Sequence, residues 1–155
     1  MNNSDLNNTP FLLSLAILNL DIQSPVLFLH LLINPHSKMI NGNCELSIPT
    51  YSSTETQRMD IVGSYCSSLD QQMENQYDVT LTGMNNYQQN LADVKITMVI
   101  NQEWKKGKAS YKYIENEKWK SMDNVYLKIK MAKPHIVPSS VLDIPATPYL
   151  PGQIK

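Results

Sequence analysis

The stretch VLFLHLLINPHSKMINGNCELSI, residues 26–48, decides the fold. Leu27, Leu29, Leu31 and Ile33 form one apolar row at every second position. Ile40, Gly42, Cys44, Leu46 and Ile48 form a matching row after an interruption at Asn34-Pro35-His36-Ser37-Lys38. Alternation at period two marks a strand with one buried face, and an Asn-Pro loop marks the turn between two such strands. The stretch therefore predicts an antiparallel hairpin with its inner face committed to a core.

Working outward, the same period recurs. Residues 11–22 predict a first strand, apolar on both sides over its first half and joined to the hairpin through Gln23-Ser24-Pro25. A polar loop is expected over residues 49–59 and a fourth strand over residues 60–69, with Ile61, Gly63, Tyr65 and Leu69 on one face. Residues 76–84 turn Tyr77, Val79 and Leu81 inward, and a polar loop follows over residues 85–91. Residues 94–100 alternate most clearly, Val94, Ile96, Met98 and Ile100 against Lys95, Thr97 and Asn101. Residues 108–114 set Ala109, Tyr111 and Tyr113 opposite Lys108, Ser110 and Lys112. After a turn at residues 115–118, Val125, Leu127, Ile129 and Met131 face inward on the last strand. Eight strands with short links and no helix describe an all-β antiparallel meander. Closing it into an up-and-down barrel removes exposed edges, and a flattened β-sandwich is the alternative.

A chain of 155 residues accommodates one domain with its own core. The expected division is a frayed leader over residues 1–10, a single domain over 11–131 and a proline-rich extension over 132–155. In the extension Pro134, Pro138, Pro145, Pro148 and Pro151 oppose regular structure. Ile136, Val137, Val141, Leu142, Ile144, Tyr149 and Leu150 are more apolar residues than a free tail needs. Part of it is expected to dock over Phe28, His30 and Leu32, which face away from the core of the hairpin.

The formal net charge of −1 offers no global field for nucleic acid or an anionic surface. Locally, residues 1–104 carry 3 basic and 10 acidic side chains, and residues 105–133 carry 9 lysines and 3 acids. That asymmetry is expected to let late strands sit beside early ones, and its plain reading is a lysine-rich, solvated outer face. In KKGKASYKY the lysines and tyrosines alternate to opposite faces, so they do not form one stacking platform and nucleic acid is not expected as a partner.

Cys44 points inward and Cys66 outward, which predicts two free thiols and a reducing, cytoplasmic compartment. The run over residues 11–20 has no preceding basic residue and is too short to span a bilayer, so neither a signal peptide nor a transmembrane segment is expected. No nucleophile motif, phosphate loop or metal-ligand spacing stands out, so no catalytic, cofactor or metal residue is assigned. Glu115 and Glu117, or Asp70 and Glu74, lie in turns and read as solvated. The candidate ligand- or partner-facing residues are Trp104, Tyr111, Tyr113 and Trp119, as an aromatic lining, and Phe28, His30 and Leu32, as an outer apolar strip. His30 between Phe28 and Leu32 reads most simply as a packed, hydrogen-bonded histidine, and His36 and His135 as exposed loop residues.

The order of motifs resembles domain-of-unknown-function family 1842, a family of small, mostly bacterial proteins. The resembling pieces are FLLSLAILNLDIQSP, VLFLHLLINPHSKMINGNCELS, IVGSY, YDVTLTGM, ITMVINQEWKKGKASYKY and WKSMDNVYLKI, together spanning roughly residues 11–131. The string Trp104, Gly107, Ala109, Tyr111, Tyr113 and the hairpin with Gly42 are the most specific of these. The resemblance implies a bacterial β-protein and brings no activity. Three readings follow: a non-enzymatic module that binds a small ligand or a protein partner; a structural protein self-associating, for instance as a homodimer, through the outer strip; and an enzyme with residues gathered from separate loops.

Overall fold

The computed structural model describes residues 9–85 and 93–134. Eight strands follow in chain order: β1 (Phe11–Leu18), β2 (Val26–Asn34), β3 (Met39–Pro49), β4 (Thr54–Leu69), β5 (Asn75–Met84), β6 (Val94–Asn101), β7 (Gly107–Glu115) and β8 (Lys118–Pro134). Each pairs antiparallel with the next, and β8 pairs antiparallel with β1, so the sheet closes into an up-and-down barrel. Closure settles the choice between barrel and sandwich, and among the described strands no edge is left open.

The alternation read in residues 26–48 is the wall of this barrel. Leu27, Leu29, Leu31 and Ile33 are buried, as are Ile40, Cys44, Leu46 and Ile48 across the hairpin. Val79, Leu81, Val94, Ile96, Met98, Ile100, Ala109 and Val125 complete a continuous apolar interior. Eight strands enclose a space about wide enough for side chains to fill, and here leucine and isoleucine fill it.

Glycines set the curvature. Gly42 and Gly63 lie on inward positions of β3 and β4. A Cβ at Gly42 would stand 2.0 Å from the carbonyl oxygen of His30, and one at Gly63 would stand 2.1 Å from that of Thr80. The neighbouring strands approach more closely than any side chain allows, as sharp coiling at a barrel bend requires. Gly63 shares its hydrogen-bonded row with Leu81, Ile96 and Tyr111. Gly42 and Gly83 share theirs with Ile61, Val94 and Tyr113. Small and large residues thus alternate around the interior.

Several boundaries differ from the sequence expectation. β1 stops at Leu18, and Leu20 and Ile22 are exposed. β4 begins at Thr54, not at residue 60: Thr54–Arg58 pairs with Glu45–Pro49 although all five residues are exposed. Leu69 is also exposed. β8 runs unbroken from Lys118 to Pro134, with register shifts opposite Ser110 and between Ser14 and Leu15. These bulges bend the closing strand so that it pairs with β7 over one half and with β1 over the other. β1 (FLLSLAIL) has no charge, so apolar packing and ladder hydrogen bonds join β8 to it, not the lysine–acid asymmetry. The leader, most of the loop at residues 85–91 and the extension from residue 135 lie outside the described residues.

At one barrel end, three loops share a device. Asn34, Asp70 and Asn101 each end a strand or follow one directly, and each side-chain oxygen accepts amide hydrogens from the loop it opens. Asn34 Oδ1 takes His36 N–H at 3.0 Å, Asp70 Oδ1 takes Gln72 and Glu74 N–H at 2.8 Å, and Asn101 Oδ1 takes Lys105 N–H at 2.8 Å. Each loop then turns back through a left-handed residue: Lys38, Met73 or Trp104. Asparagine and aspartate suit this work because their short side chains mimic a backbone turn.

Candidate interaction surface

The four aromatics expected to line one pocket fall in three separate places, with only Tyr111 and Tyr113 together. Trp104 leaves the β6–β7 loop at φ 59°, anchored by its N–H to Asn101 O at 2.9 Å, and turns its indole over the barrel mouth. There it stacks on Tyr77 at 4.9 Å between centroids and meets Phe11 and Tyr65 edge-on at 5.4 and 5.2 Å. Tyr111 and Tyr113 are buried nearer the other end, rings 6.0 Å apart, and the Tyr111 hydroxyl donates to Pro25 O at 3.3 Å. Trp119 is on the outer wall, 46% exposed, with Lys95 Nζ over its ring at 5.3 Å. Trp104, Tyr111 and Tyr113 therefore plug the two ends of a filled barrel. The plug at the Trp104 end was not legible as such, because Trp104 sits in a charged turn with no strand period around it.

Phe28, His30 and Leu32 lie together on the outer wall, as alternation requires. Across β1 their partners are Ala16, Ser14 and Leu12, and across β3 they are Glu45, Asn43 and Asn41. Ser14 Oγ and His30 Nδ1 share a hydrogen bond of 3.1 Å. The row through Leu12 and Leu32 continues past Asn41 to Val62 on β4. Leu12 is 47% exposed and Val62 40%, and Met39 adds a further 47% exposed side chain at the same barrel end. The result is an apolar strip across β1–β4, wider than the three residues foreseen. On its far side Arg58 Nε donates to Glu45 Oε1 at 2.7 Å and helps line a polar depression with Asn43 and Asp60.

With this geometry in view, the comparison with protein families is decisive for kinship. Residues 10–119 match the family model described as Domain of unknown function (DUF1842). The chain belongs to the DUF1842 family. The DUF1842 match takes in β1 to β7 and reaches only the first residues of β8, so the strand that closes the barrel falls outside it. No curated protein matches the chain.

The opposite wall of this DUF1842 barrel is cationic. Lys95 and Lys112 stand directly across from one another on β6 and β7, with Lys108 exposed on the same wall. Like charges in direct register cost a few tenths of a kcal/mol to about 1 kcal/mol, and the lysine stems reach into water. The Lys120 ammonium is paired with Glu115, and that hydrogen bond raises its pKa.

The titratable groups inside are shifted away from neutrality. Burial pushes the Cys44 thiol up to about 12 and the Tyr65 hydroxyl up to about 12. Burial likewise raises Tyr111, Tyr77 and Tyr113. A thiol held protonated is a small apolar core group, not a nucleophile. Cys44 is buried, Cys66 exposed, and both are free. Among the described residues no helix is long and apolar enough to cross a membrane.

Proposed function

We propose that this DUF1842 protein is a non-enzymatic interaction module, a filled barrel whose outer wall across β1–β4 meets a protein partner. One observation carries the reading. The interior is packed by its own apolar side chains, while Leu12, Met39 and Val62 remain 40–47% exposed together on the outside. Exposed apolar side chains gathered on one wall, here with Asn41 between Leu32 and Val62, mark a contact site more often than singly scattered ones do. Buried thiol and phenol groups with raised pKa values support a scaffold over a reaction centre, since general bases work near neutrality. The two free thiols support a cytoplasmic setting.

A photo-crosslinking residue placed at Leu12 or at Val62, with Thr80 on the far wall as control, tests the assignment. Crosslinks formed from the strip and not from position 80, weakened by Leu12→Glu without a fall in the melting midpoint, are expected. A crosslinked product of twice the chain mass identifies a second copy as the partner and favours self-assembly. Equal crosslinking from both walls removes the contact face.

A further inference from the structure

Lys95 and Lys112 lie in a row of polar residues that crosses four strands of the outer wall. Thr82 on β5 pairs with Lys95 on β6, Lys95 with Lys112 on β7, and Lys112 with Ser121 on β8. Two ammoniums thus stand at the centre of the row with a hydroxyl-bearing residue on either side. Residues in direct register lie about 5 Å apart at Cα, and both lysines are exposed. Their side chains therefore reach the same space above the β6–β7 seam, although opposed like charges destabilise a sheet. Arg58, Lys105 and Lys120 each sit beside a glutamate, but among the described residues neither Lys95 nor Lys112 has a carboxylate partner. Asp93, two residues before Lys95, is engaged with the Asn85 N–H at 3.0 Å.

Trp119 lies two residues before Ser121 on β8, on the same outward face. It is 46% exposed, and Lys95 Nζ stands over its ring at 5.3 Å. One lysine therefore joins the charged pair to an open aromatic face. We propose that this wall binds a nucleoside monophosphate, its phosphoryl group between Lys95 and Lys112 and its base on Trp119. A phosphoryl group carries about −1.5 to −2 charge at neutral pH, which two ammoniums match. Lysine meets phosphate as a point charge and needs no fixed fork geometry. Any base presents a flat face to an indole. Two positions along a strand are about 7 Å, close to the reach from a 5′-phosphate across its ribose to the base. On binding, Lys95 leaves the indole for the phosphoryl oxygens, and the base takes the face it vacates.

The ligand is one nucleotide and not a strand. Tyr126, the other exposed aromatic of β8, is separated from Trp119 by the exposed Asp123 and by the irregular register with β7. The whole chain has a formal charge of −1, so the cationic field stays local to this wall. The proposal concerns the wall opposite the β1–β4 strip and does not depend on the contact-face reading above.

The test follows N–H signals of the full chain by NMR while AMP is added, with adenosine and inorganic phosphate titrated in parallel. AMP is expected to shift the Trp119 indole N–H and the amides of Lys95, Lys112 and Ser121 along one saturating curve. The Trp104 indole and the amides of Leu32 and Val62 are expected to stay in place. Inorganic phosphate and adenosine each lack half of the contacts, and each is expected to need at least about tenfold more for half-saturation. Trp119→Ala is expected to weaken AMP about tenfold and Lys112→Gln about threefold, while Lys108→Gln on the same wall changes nothing. Lys112→Gln also relieves the opposed charges, so its urea midpoint is expected to hold or rise, which separates lost binding from lost folding. Equal half-saturation by AMP and inorganic phosphate, with the Trp119 signal unmoved, shows adsorption of any anion and overturns the proposal. Adenosine binding as tightly as AMP, equal weakening by Lys108→Gln and Lys112→Gln, or no saturable shift with AMP overturns it as well.

Discussion

The indole of Trp104 lies on the ring of Tyr77, centroids 4.9 Å apart and planes 24° from parallel, so a loop residue and a strand residue together close one mouth of the barrel. Phe11 and Tyr65 hold that indole edge-on from two further strands. An offset aromatic stack adds about 0.5–1.5 kcal/mol beyond area burial. Trp104→Ala removes the plug at once and is expected to cost about 3–5 kcal/mol, the usual range for a buried tryptophan. Urea denaturation measures it. Trp119→Ala, on the exposed wall under Lys95, serves as comparison and is expected to cost about 1 kcal/mol or less. Equal losses for the two tryptophans would contradict the plug.

The glycines give a graded prediction. Gly42→Ala drives a Cβ to 2.0 Å from the His30 carbonyl oxygen, a backbone atom that moves only if β2 moves. Gly83→Ala brings its Cβ to 3.1 Å from Ile61 Cδ1, the far end of a flexible side chain. The first is expected to destabilise by about 1–3 kcal/mol or more, the second by less than about 1 kcal/mol. Chemical denaturation of both variants checks the order, and a reversed order would mean that the strands are less tightly coiled at Gly42 than at Gly83.

How far the sequence carried this fold depends on the residue. Alternation of Leu27, Leu29, Leu31 and Ile33, and of Val94, Ile96, Met98 and Ile100, is a direct image of one wet and one dry face, so strands and phase were both readable. Thr54–Arg58 has no such image. These residues pair with β3 while all remain in water, and a strand exposed on both faces has the composition of a loop. Trp104 was legible as an aromatic and not as a plug, because its inward aim comes from a left-handed backbone and the Asn101 turn, neither of which leaves a period. The outer strip was read from Phe28, His30 and Leu32 alone. Its extension to Val62 depends on the register between β3 and β4, which alternation within single strands does not fix.

Stability should depend on alkaline pH through Cys44. Its folded-state pKa is raised from 9.0 to about 12 by burial. Below pH about 9 the thiol is protonated in both states and stability is unaffected. Between about 9 and 12 the unfolded chain loses the proton and the folded one keeps it, so unfolding is favoured progressively as pH rises. One such group gives a slope approaching about 1.4 kcal/mol per pH unit. Tyr65, raised from 10.0 to about 12, adds to the loss above pH 10. Denaturation midpoints measured from pH 7 to 10 are expected to be level and then to fall. Cys44→Ala is expected to start lower, through lost packing, and to fall less steeply between pH 9 and 10. Identical slopes would assign the alkaline loss elsewhere.

The β7–β8 turn offers a stabilising change. Glu115 pairs with Lys118, which leaves Asn116 and Glu117 as a two-residue connection with φ of 53° and 65°. Positive φ at both central positions is the type I′ pattern, whose twist matches the flanking strands and whose favoured sequence is Asn-Gly. Asn116 fits it. Glu117 does not, because its Cβ crowds the following carbonyl in the left-handed region, at a cost of about 1–2 kcal/mol. Glycine removes that crowding but gives back part of the gain through the greater freedom of the unfolded chain. Glu117→Gly is therefore expected to stabilise the barrel by about 0.5–1 kcal/mol, and Glu117→Val, a β-branched residue forced to the same φ, to destabilise it. The urea midpoint should move in opposite directions for the two variants with an unchanged m-value, since neither alters the surface exposed on unfolding. A glycine variant less stable than the parent would show that Glu117 contributes more through its side chain than its backbone conformation costs.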